Sequence, residues 1–369
     1  MDVFQPAAPF PNVPPEAPLL QWGPVELRPH FLYRFLEGNG IQSGPSNATT
    51  TAVHTVSPGL LLAVGSHLTL DYTPTWTIYS SRQFRDSLDH NAMLLWGNAY
   101  ENWIFGVSQS YVSDSPELIE TAQQTKEQTY ATQLSASHSL SRNTSMELNV
   151  SQTIRDVPQF TSSKEWNTLD WLDYQFWPGL SAGPGIGVGY VDVDKGADQL
   201  YEQLQGRIRW RATDKFSFEF HGGGEDRQFR TDGIDDRISP VFGALMRYVP
   251  FETTTLTLNA NRSISPSYST NQFTESTGVT GAVTQRFFKR LYLSLEGGYL
   301  NSRYLTSAAA TTAGRTRQDQ SYSLSVRLST KFLKRGTIAI FYQYSDNISN
   351  QPGYGYTSNQ GGVEVGYRY

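Results

Sequence analysis

Three arginines at alternate positions are the clearest candidates for binding chemistry in the sequence. In the stretch LQGRIRWRA, single residues separate Arg207, Arg209 and Arg211. Side chains of an extended strand alternate between its two faces, so a strand here places all three arginines on one face. A guanidinium group can bind both oxygens of a carboxylate or a phosphate. The spacing therefore predicts a positive ladder that concentrates anions or orients a phosphate, carboxylate or sugar ligand.

A structural role is the alternative for the same arginines. Leu204, Ile208 and Trp210 occupy the opposite, apolar face of this stretch. The same alternation assigns further charged residues to the polar face, namely Arg28, Arg34, Arg155, Arg247, Arg327, Lys331, Glu26, Asp71, Glu147, Glu219 and Glu296. In this interpretation, carboxylates such as Glu219 on the next strand pair with the ladder and hold the wall together. The sequence alone leaves both interpretations open.

Sequence patterns for catalysis or metal binding are missing. The six histidines lack the close spacing of a metal site and are His30, His54, His67, His90, His138 and His221. In SASHSLS, the adjacent His138 and Ser139 point to opposite faces of a strand, so they cannot act together there. Cysteine is absent, and a net charge of -5 does not suit nucleic-acid binding. We predict no enzyme activity, no metal, no cofactor and no nucleic-acid partner.

Aromatic rings and glycines suggest two further features of an interior surface. Four aromatic residues are candidates for a surface along which sugars slide: Tyr79, Trp171, Trp177 and Tyr201. The alternative is that these rings belong to an aromatic girdle at the membrane interface or pack against neighbouring side chains. The stretch GPGIGVGY carries glycine at alternate positions. Because no helical pattern follows it, close backbone approach within a strand explains these glycines better than a nucleotide-binding loop does.

These side chains require extended strands, and most of the chain has the matching pattern. VELRPHFLYRF (25–35) and LTLDYTPTWTIYSS (68–81) alternate apolar and polar residues, which indicates strands. Only SPELIETAQQ has some helical character. No apolar run approaches the roughly 20 residues that a membrane-spanning helix needs. We predict an all-β protein with about 18 strands, a number within the range of known membrane barrels.

The connections between these strands alternate in length. Tight turns are expected at Gly65-Ser66, Glu101-Asn102, SRNT, PGLSAGP, TDK, PFET, FKR and LKRG. Longer loops are expected at GNGIQSGPSNATT, SDSPELIETAQQTKEQ, EDRQFRTDGIDDRIS and YLTSAAATTAGRTRQ. This asymmetry is typical of an antiparallel up-and-down outer-membrane barrel with short periplasmic turns and longer extracellular loops. Two soluble sandwiches are the alternative. None of the loops is very long, so we expect no constriction loop folded into the lumen.

Aromatic residues at the strand ends favour a membrane barrel. They lie beside four of the tight turns, as expected at a bilayer interface. The predicted girdle comprises Tyr100, Trp103, Trp210, Phe216, Tyr248, Phe251, Phe287, Phe288 and Tyr292. A basic residue on the lipid face would cost about 2 to 4 kcal/mol at mid-bilayer, so the charged face must line the lumen.

The first 24 residues differ from the rest of the chain. MDVFQPAAPFPNVPPEAPLLQWGP is rich in proline, which excludes a helix or a central strand. We expect residues 1–24 to form a periplasmic tail that either plugs the lumen or contacts an export partner, and residues 25–369 to form the barrel. Since no signal peptide is visible, we interpret the sequence as one from which it has been removed.

The last strand resembles a known assembly signal. In GGVEVGYRY, Val363, Val365, Tyr367 and Tyr369 share one face and place an aromatic residue last. This pattern resembles the signal that delivers outer-membrane proteins to the barrel assembly machinery, although Phe is commoner at the final position. The stretch 68–81 resembles an early strand of the type 2 β-barrel porins, a family that includes barrels encoded with exopolysaccharide operons. The resemblance implies an integral protein of the bacterial outer membrane that contacts lipid and lipopolysaccharide.

The expected function follows from the predicted barrel. A barrel of about 18 strands leaves a water-filled lumen, so we expect a channel for passive diffusion of small hydrophilic solutes. The alternative is a structural or assembly barrel attached to an exopolysaccharide or export machine, without general pore activity.

Overall fold

The computed structural model describes residues 20–230, 236–306, 316–333 and 335–368. Within these residues, no helix is long and apolar enough to span a membrane. In chain order the strands are β1 (Leu20–Trp22), β2 (Val25–Gly44), β3 (Asn47–Val64), β4 (Leu68–Tyr79), β5 (Ser87–Tyr100), β6 (Trp103–Asp114), β7 (Glu117–Leu118), β8 (Gln123–Gln124), β9 (Glu127–Ser139), β10 (Thr144–Asp156), β11 (Ser163–Trp177), β12 (Leu180–Val193), β13 (Gln199–Thr213), β14 (Phe216–Phe229), β15 (Arg237–Phe251), β16 (Thr254–Pro266), β17 (Gln272–Phe287), β18 (Leu291–Thr306), β19 (Arg317–Phe332), β20 (Gly336–Ser349) and β21 (Tyr356–Arg368).

Strands β2 to β6 and β9 to β21 form a closed antiparallel barrel of 18 strands. Each of them pairs with the next, and β6 pairs directly with β9. The cylinder closes where β21 pairs with β2, from His30 opposite Arg368 to Asn39 opposite Asn359. The short strand β1 pairs with the first residues of β2, beyond the end of β21. The predicted all-β barrel and its strand number are confirmed.

Apolar side chains cover the outside of this barrel, and polar ones fill its interior. On β13, Leu204 is 66% exposed, whereas Arg207 on the other face is 7% exposed. On β4, Trp76 and Ile78 are likewise turned outward and exposed. An outer surface of this kind is unfavourable in water and favourable in lipid. The period-two alternation of the sequence thus gives a lipid-facing skin and a polar lumen.

The two ends of the barrel have connections of different length. At the short-turn end, which is periplasmic, the connections are short, and the longest of them is residues 140–143. At the long-loop end, which is extracellular, they include 80–86 and 115–126. The loop predicted at GNGIQSGPSNATT is wrong, because β2 and β3 continue to pair as far as Gly44 and Asn47. Backbone hydrogen bonds satisfy this polar stretch, so its composition did not indicate a loop.

Candidate functional site

The inner face of β13 carries the three predicted arginines, two of which form a neutral network. Arg207 donates to Glu147 Oε2 at 2.8 Å and also to Asp173. Arg209 donates to Glu147 Oε1 at 2.8 Å and to Asp173 Oδ2 at 2.6 Å. Two positive charges therefore meet two negative charges from β10 and β11. We call these four residues the paired ladder.

Glycines on β12 allow the paired ladder to form. β12 lies between β11 and β13, and Gly183 stands opposite Arg207 in the register. Because glycine has no side chain, Arg207 can reach over β12 to the acidic residues beyond it. A Cβ atom at Gly185 would lie 2.5 Å from the Trp171 ring, and the guanidinium of Arg207 stacks on that ring at 4.4 Å. The glycines of GPGIGVGY thus make room within the wall for larger neighbours.

Arg211 lies outside the paired ladder, nearer the short-turn end. Its side chain is exposed, and the ion pairs within the described ranges do not include it. Glu219 stands opposite Arg209 in the β13–β14 register, yet Arg209 turns toward Asp173 instead. The expected partner on the next strand is therefore replaced by carboxylates two and three strands away.

The other residues predicted on the inner face do not join this cluster. Arg28 donates to Glu26 Oε2 at 2.6 Å on its own strand. Arg34 lies with its Nε 3.5 Å from Glu364 Oε1, at the seam between β2 and β21. Glu296 faces the lumen from β18, and the ion pairs of the described residues do not include it. The predicted set is thus spread around the lumen and forms no single site.

A second network on the inner wall was missed in the sequence. Arg227 donates to Glu225 Oε1 at 2.7 Å and to Gln199, and all three side chains are fully buried. Its guanidinium also lies 4.6 Å from the centre of the Tyr201 ring. Glu225 and Arg227 are two positions apart, like the members of the ladder. This spacing was the signal that could have identified them.

The connection between β6 and β9 folds into the lumen. β7 and β8 pair as a small hairpin, so the helical character expected in SPELIETAQQ is wrong. Tyr79 donates to Glu117 Oε1 at 3.0 Å, and from β19 Arg317 donates to the carbonyls of Ile119 and Glu120 at 3.1 and 2.8 Å. This corrects the expectation that no loop enters the lumen. An extended chain covers about 3.3 Å per residue, so a loop of moderate length can cross it.

The opposite wall contributes a second infolded segment, at the end of the β16–β17 hairpin. The pairing of β15 with β16 stops at Phe242 and Arg262, although both strands continue. Beyond this point the hairpin packs inside the barrel, where Phe273 is 3% exposed and its ring lies 5.1 Å from that of Phe229. We call residues 263–275 the inner hairpin.

The two infolded segments meet in the long-loop mouth. Glu120 accepts hydrogen bonds from the Ser267 hydroxyl and from the backbone N–H of Tyr268, the latter at 2.7 Å. The Tyr268 hydroxyl donates to Glu127 Oε2 at 2.7 Å, and the guanidinium of Arg155 lies over the Tyr268 ring at 4.3 Å. These five residues form a contact across the mouth, which we call the mouth bridge.

Burial alters the protonation of two carboxyl groups in the infolded loop. The pKa of Glu120 is raised above its ordinary value, mainly because burial penalises the charged form. The hydrogen bond from Ser267 and the positive charges of Arg155 and Arg317 oppose this shift without reversing it. The pKa of Glu117 is raised by burial in the same way. The bridged arrangement therefore favours the neutral form of both groups.

A cavity of about 590 Å³ lies at the short-turn end, beside the paired ladder. Its lining includes Arg142, Asn143, Gln175, Arg209, Arg211 and Glu219. Arg142 comes from the β9–β10 turn, so the cavity joins a turn to the inner wall. We call it the vestibule.

All nine residues predicted for the aromatic girdle lie at the short-turn end, but one of them points into the lumen. Its exposed members are Tyr100, Trp210, Tyr248, Phe251, Phe287 and Phe288, and its partly buried members are Trp103 and Phe216. Tyr292 differs, because it pairs with Arg286 and shares the face of Glu296, which points into the lumen. The turn at 288–290 takes three residues, so Leu291 rather than Tyr292 continues the outer face.

The aromatic residues considered for a sugar slide do not form an open surface. Trp171 and Tyr201 are each buried beneath an arginine. Tyr79 is held by the infolded loop, and Trp177 is exposed at the end of β11, beyond a bulge. Packing explains the two buried rings.

The last strand places its signal residues on the outer face. Val363 is exposed, and Val365 and Tyr367 alternate with it along β21. Residue 369 lies outside the described residues. Glu364, between Val363 and Val365, points inward. It accepts a hydrogen bond from Arg327 Nη2 at 2.5 Å and also lies close to Arg34. The seam therefore has an ionic inner side.

The structure offers no metal site in the described ranges, where no group of three or more His, Asp or Glu side chains is placed to hold an ion. His138 stacks on Trp103, with ring centres 4.3 Å apart. This position belongs to the aromatic outer face, away from the lumen.

Residues 199–369 match the family model described as Putative beta-barrel porin 2, over somewhat less than half of the chain. The match does not include the stretch 68–81, which carries the resemblance to the type 2 porins in the sequence. No curated protein matches the sequence.

Several solved structures are similar to this chain. OccAB4 of Acinetobacter baumannii is 12% identical, with a TM-score of 0.48 over 93% of this chain and 98% of that one. OccK2 (OpdF) of Pseudomonas aeruginosa is 11% identical, with a TM-score of 0.49 over 93% and 98%. OpdL of Pseudomonas aeruginosa is 13% identical, with a TM-score of 0.47 over 94% and 98%. The similarity in sequence is low throughout.

The barrel and the family match together locate the protein. A closed barrel with an apolar outside needs a bilayer around it, and such barrels are typical of the bacterial outer membrane. The matching family consists of porin-like barrels. The protein is thus an integral, porin-like protein of the outer membrane in contact with lipid, and its architecture points to a channel rather than an enzyme.

Proposed function

We propose that small hydrophilic solutes diffuse passively through this barrel across the outer membrane. The observation that carries the proposal is the closed cylinder of 18 strands with a charged and polar inner face. A barrel of 16 to 18 strands has room for an aqueous path, and paired charges keep its wall hydrated. The mouth bridge supplies the narrowest part and sets the size limit for solutes.

Conductance in planar bilayers tests this proposal. We expect purified protein to give stepwise currents, and we expect larger steps when a short Gly-Ser linker replaces residues 116–125. Heat-modifiable mobility on a gel shows that each sample is folded. Silent bilayers from folded protein of both kinds would contradict the proposal.

An assembly barrel is the second candidate, and the two infolded segments that meet in the mouth favour it. At the opposite end, Trp22 of β1 is 59% exposed beside the seam, where a periplasmic partner can contact it. Residues 1–24 would then dock an export or exopolysaccharide machine, whereas a plugging tail would block the lumen. Deleting residues 1–24 distinguishes the two: loss of co-purifying partners indicates docking, and increased conductance indicates a plug.

Two further partners belong to this proposal. The barrel assembly machinery recognises β21 by its outer face. The exposed apolar surface near the long-loop end contacts lipopolysaccharide. Replacing Val363 and Val365 by Asp should reduce membrane insertion in vivo, which is measured as the folded fraction in outer-membrane extracts. Normal insertion of this variant would exclude the assembly role of the strand.

A further inference from the structure

We infer that the vestibule binds a small polyhydroxylated anion, a sugar phosphate or a sugar acid, through Arg142 and Arg211. This inference names a substrate class for the proposed channel and rests on it for the route by which the anion arrives. The site itself is defined by charge, shape and hydrogen-bonding groups at the short-turn end.

The charge argument depends on which arginines are already paired. Arg207 and Arg209 share Glu147 and Asp173, so the paired ladder carries no net charge. Arg211 is two residues further along the same face and has no ion pair within the described ranges. The attraction for anions therefore lies at the end of the ladder rather than along it.

Arg142 brings a second available positive charge from a different element. It belongs to the β9–β10 turn and lines the same cavity as Arg211. As with Arg211, the ion pairs of the described residues do not include it. Among the described residues, the lining of the vestibule has two carboxylates. Asp173 belongs to the paired ladder, and Glu219 does not. Two cations against one anion leave the vestibule positive.

Arg247 extends this positive region along the wall. In the register, Ser217 of β14 stands between Arg211 and Arg247, and both arginines are exposed on the inner face. Neighbouring strands are about 4.8 Å apart, so their backbones at this level are separated by roughly 10 Å. An anion that enters the vestibule thus meets positive charge from three strands or turns.

The size and lining of the vestibule indicate a hydroxylated ligand. Its volume of about 590 Å³ is within the range of small-molecule pockets. Asn143 and Gln175 offer amide groups, and Glu219 offers an acceptor for a hydroxyl. Asp173 and Glu147 hold the Arg209 side chain in place by hydrogen bonds. One side of the cavity is therefore rigid before a ligand binds. A cavity that is positive and rich in hydrogen-bonding groups suits a sugar with one acidic group.

Calorimetric titration in detergent tests the inference. Gluconate and glucose 6-phosphate supply the carboxylate and the phosphate, and glucose is the neutral counterpart. At low salt, we expect both anions to bind and glucose to give no heat. The double variant Arg142→Gln/Arg211→Gln should lose at least tenfold in affinity for both. Arg286→Gln removes an arginine near the same rim but outside the vestibule lining, and it should bind as the unaltered protein does.

A third variant keeps the test informative if the double variant does not fold. Arg211→Lys preserves the charge and loses the planar fork, so it should bind with intermediate affinity. Equal binding by the double variant, glucose binding as tightly as the anions, or no binding of either anion would each overturn the inference. Currents in potassium chloride are recorded separately: currents without anion binding contradict only the site, and binding without currents contradicts only the channel.

Discussion

Glu120 Oε1 accepts a hydrogen bond from the backbone N–H of Tyr268 at 2.7 Å, although 148 positions separate the two residues. They come from connections on opposite sides of the barrel, β6–β9 and β16–β17. The contact that spans the mouth therefore depends on a few hydrogen bonds between two infolded segments.

Removing the Glu120 carboxylate should open the mouth. Glu120→Ala deletes two hydrogen bonds, worth about 1 kcal/mol each, so the unbridged state should become roughly 30-fold more populated. Single-channel recordings should show more frequent or wider openings. Glu252→Ala, at an exposed short turn, is the control and should behave as the unaltered protein does. Identical recordings for Glu120→Ala would show that the bridge does not limit the current.

The mouth bridge should weaken as the pH rises. The pKa values of Glu120 and Glu117 are both raised from 4.5 by burial, so the bridged state favours their neutral forms. The stabilisation that the neutral carboxyl groups give to the bridged state is fully present below pH 4.5. It is lost as the pH rises through the raised pKa values. Open probability should therefore increase with pH, and Glu117→Gln/Glu120→Gln should remove this dependence. Openings that become more frequent toward acid pH would refute the assignment.

The seam should depend on Glu364. This carboxylate pairs with Arg34 on β2 and with Arg327 on β19, across the point where the barrel closes. Glu364→Gln leaves two partly buried arginines without their anion and should cost about 2 kcal/mol of stability. The folded band on a heat-modifiability gel should disappear at a lower temperature. Glu296→Gln, which alters an inward carboxylate without an ion pair in the described ranges, should change little, and an equal shift in both variants would argue against the seam.

The outer face should not tolerate a charge. Leu204 is turned outward, so Leu204→Arg exposes a guanidinium to lipid at a cost of about 2 to 4 kcal/mol near mid-bilayer. Gln133→Arg adds the same charge to an exposed position on the inner side of β9 and should be tolerated. The yield of folded protein after refolding into vesicles measures the difference. Equal yields would mean that Leu204 does not face lipid.

Local pattern was sufficient to predict the barrel. Alternation decides which side chains face out, and it places Leu204 and Arg207 on opposite faces, as the barrel does. Turn length then distinguishes the two ends of the cylinder. Both signals arise from residues close together along the chain, so they can be read from a single sequence.

The partners of the lumen side chains could not be predicted in this way. Arg209 was expected beside Glu219, its neighbour in the register, but it binds Asp173 across β12. Which carboxylate binds Arg209 depends on the size of the β12 side chains that lie between, and at Ser181 and Gly183 these are small. The meeting of Glu120 with Tyr268 likewise depends on the width of the barrel and on where β15 and β16 separate. Neither quantity is encoded in a local pattern.

The glycine positions of β12 have a consequence for the evolution and engineering of the bore. At Gly185 and Gly189, an added methyl group would collide with the rings of Trp171 and Tyr201, which would have to swing toward the axis. A single substitution there could thus reshape the passage without altering strand number, charge or any surface loop. The width of the passage beside β12 is therefore sensitive to small genetic change.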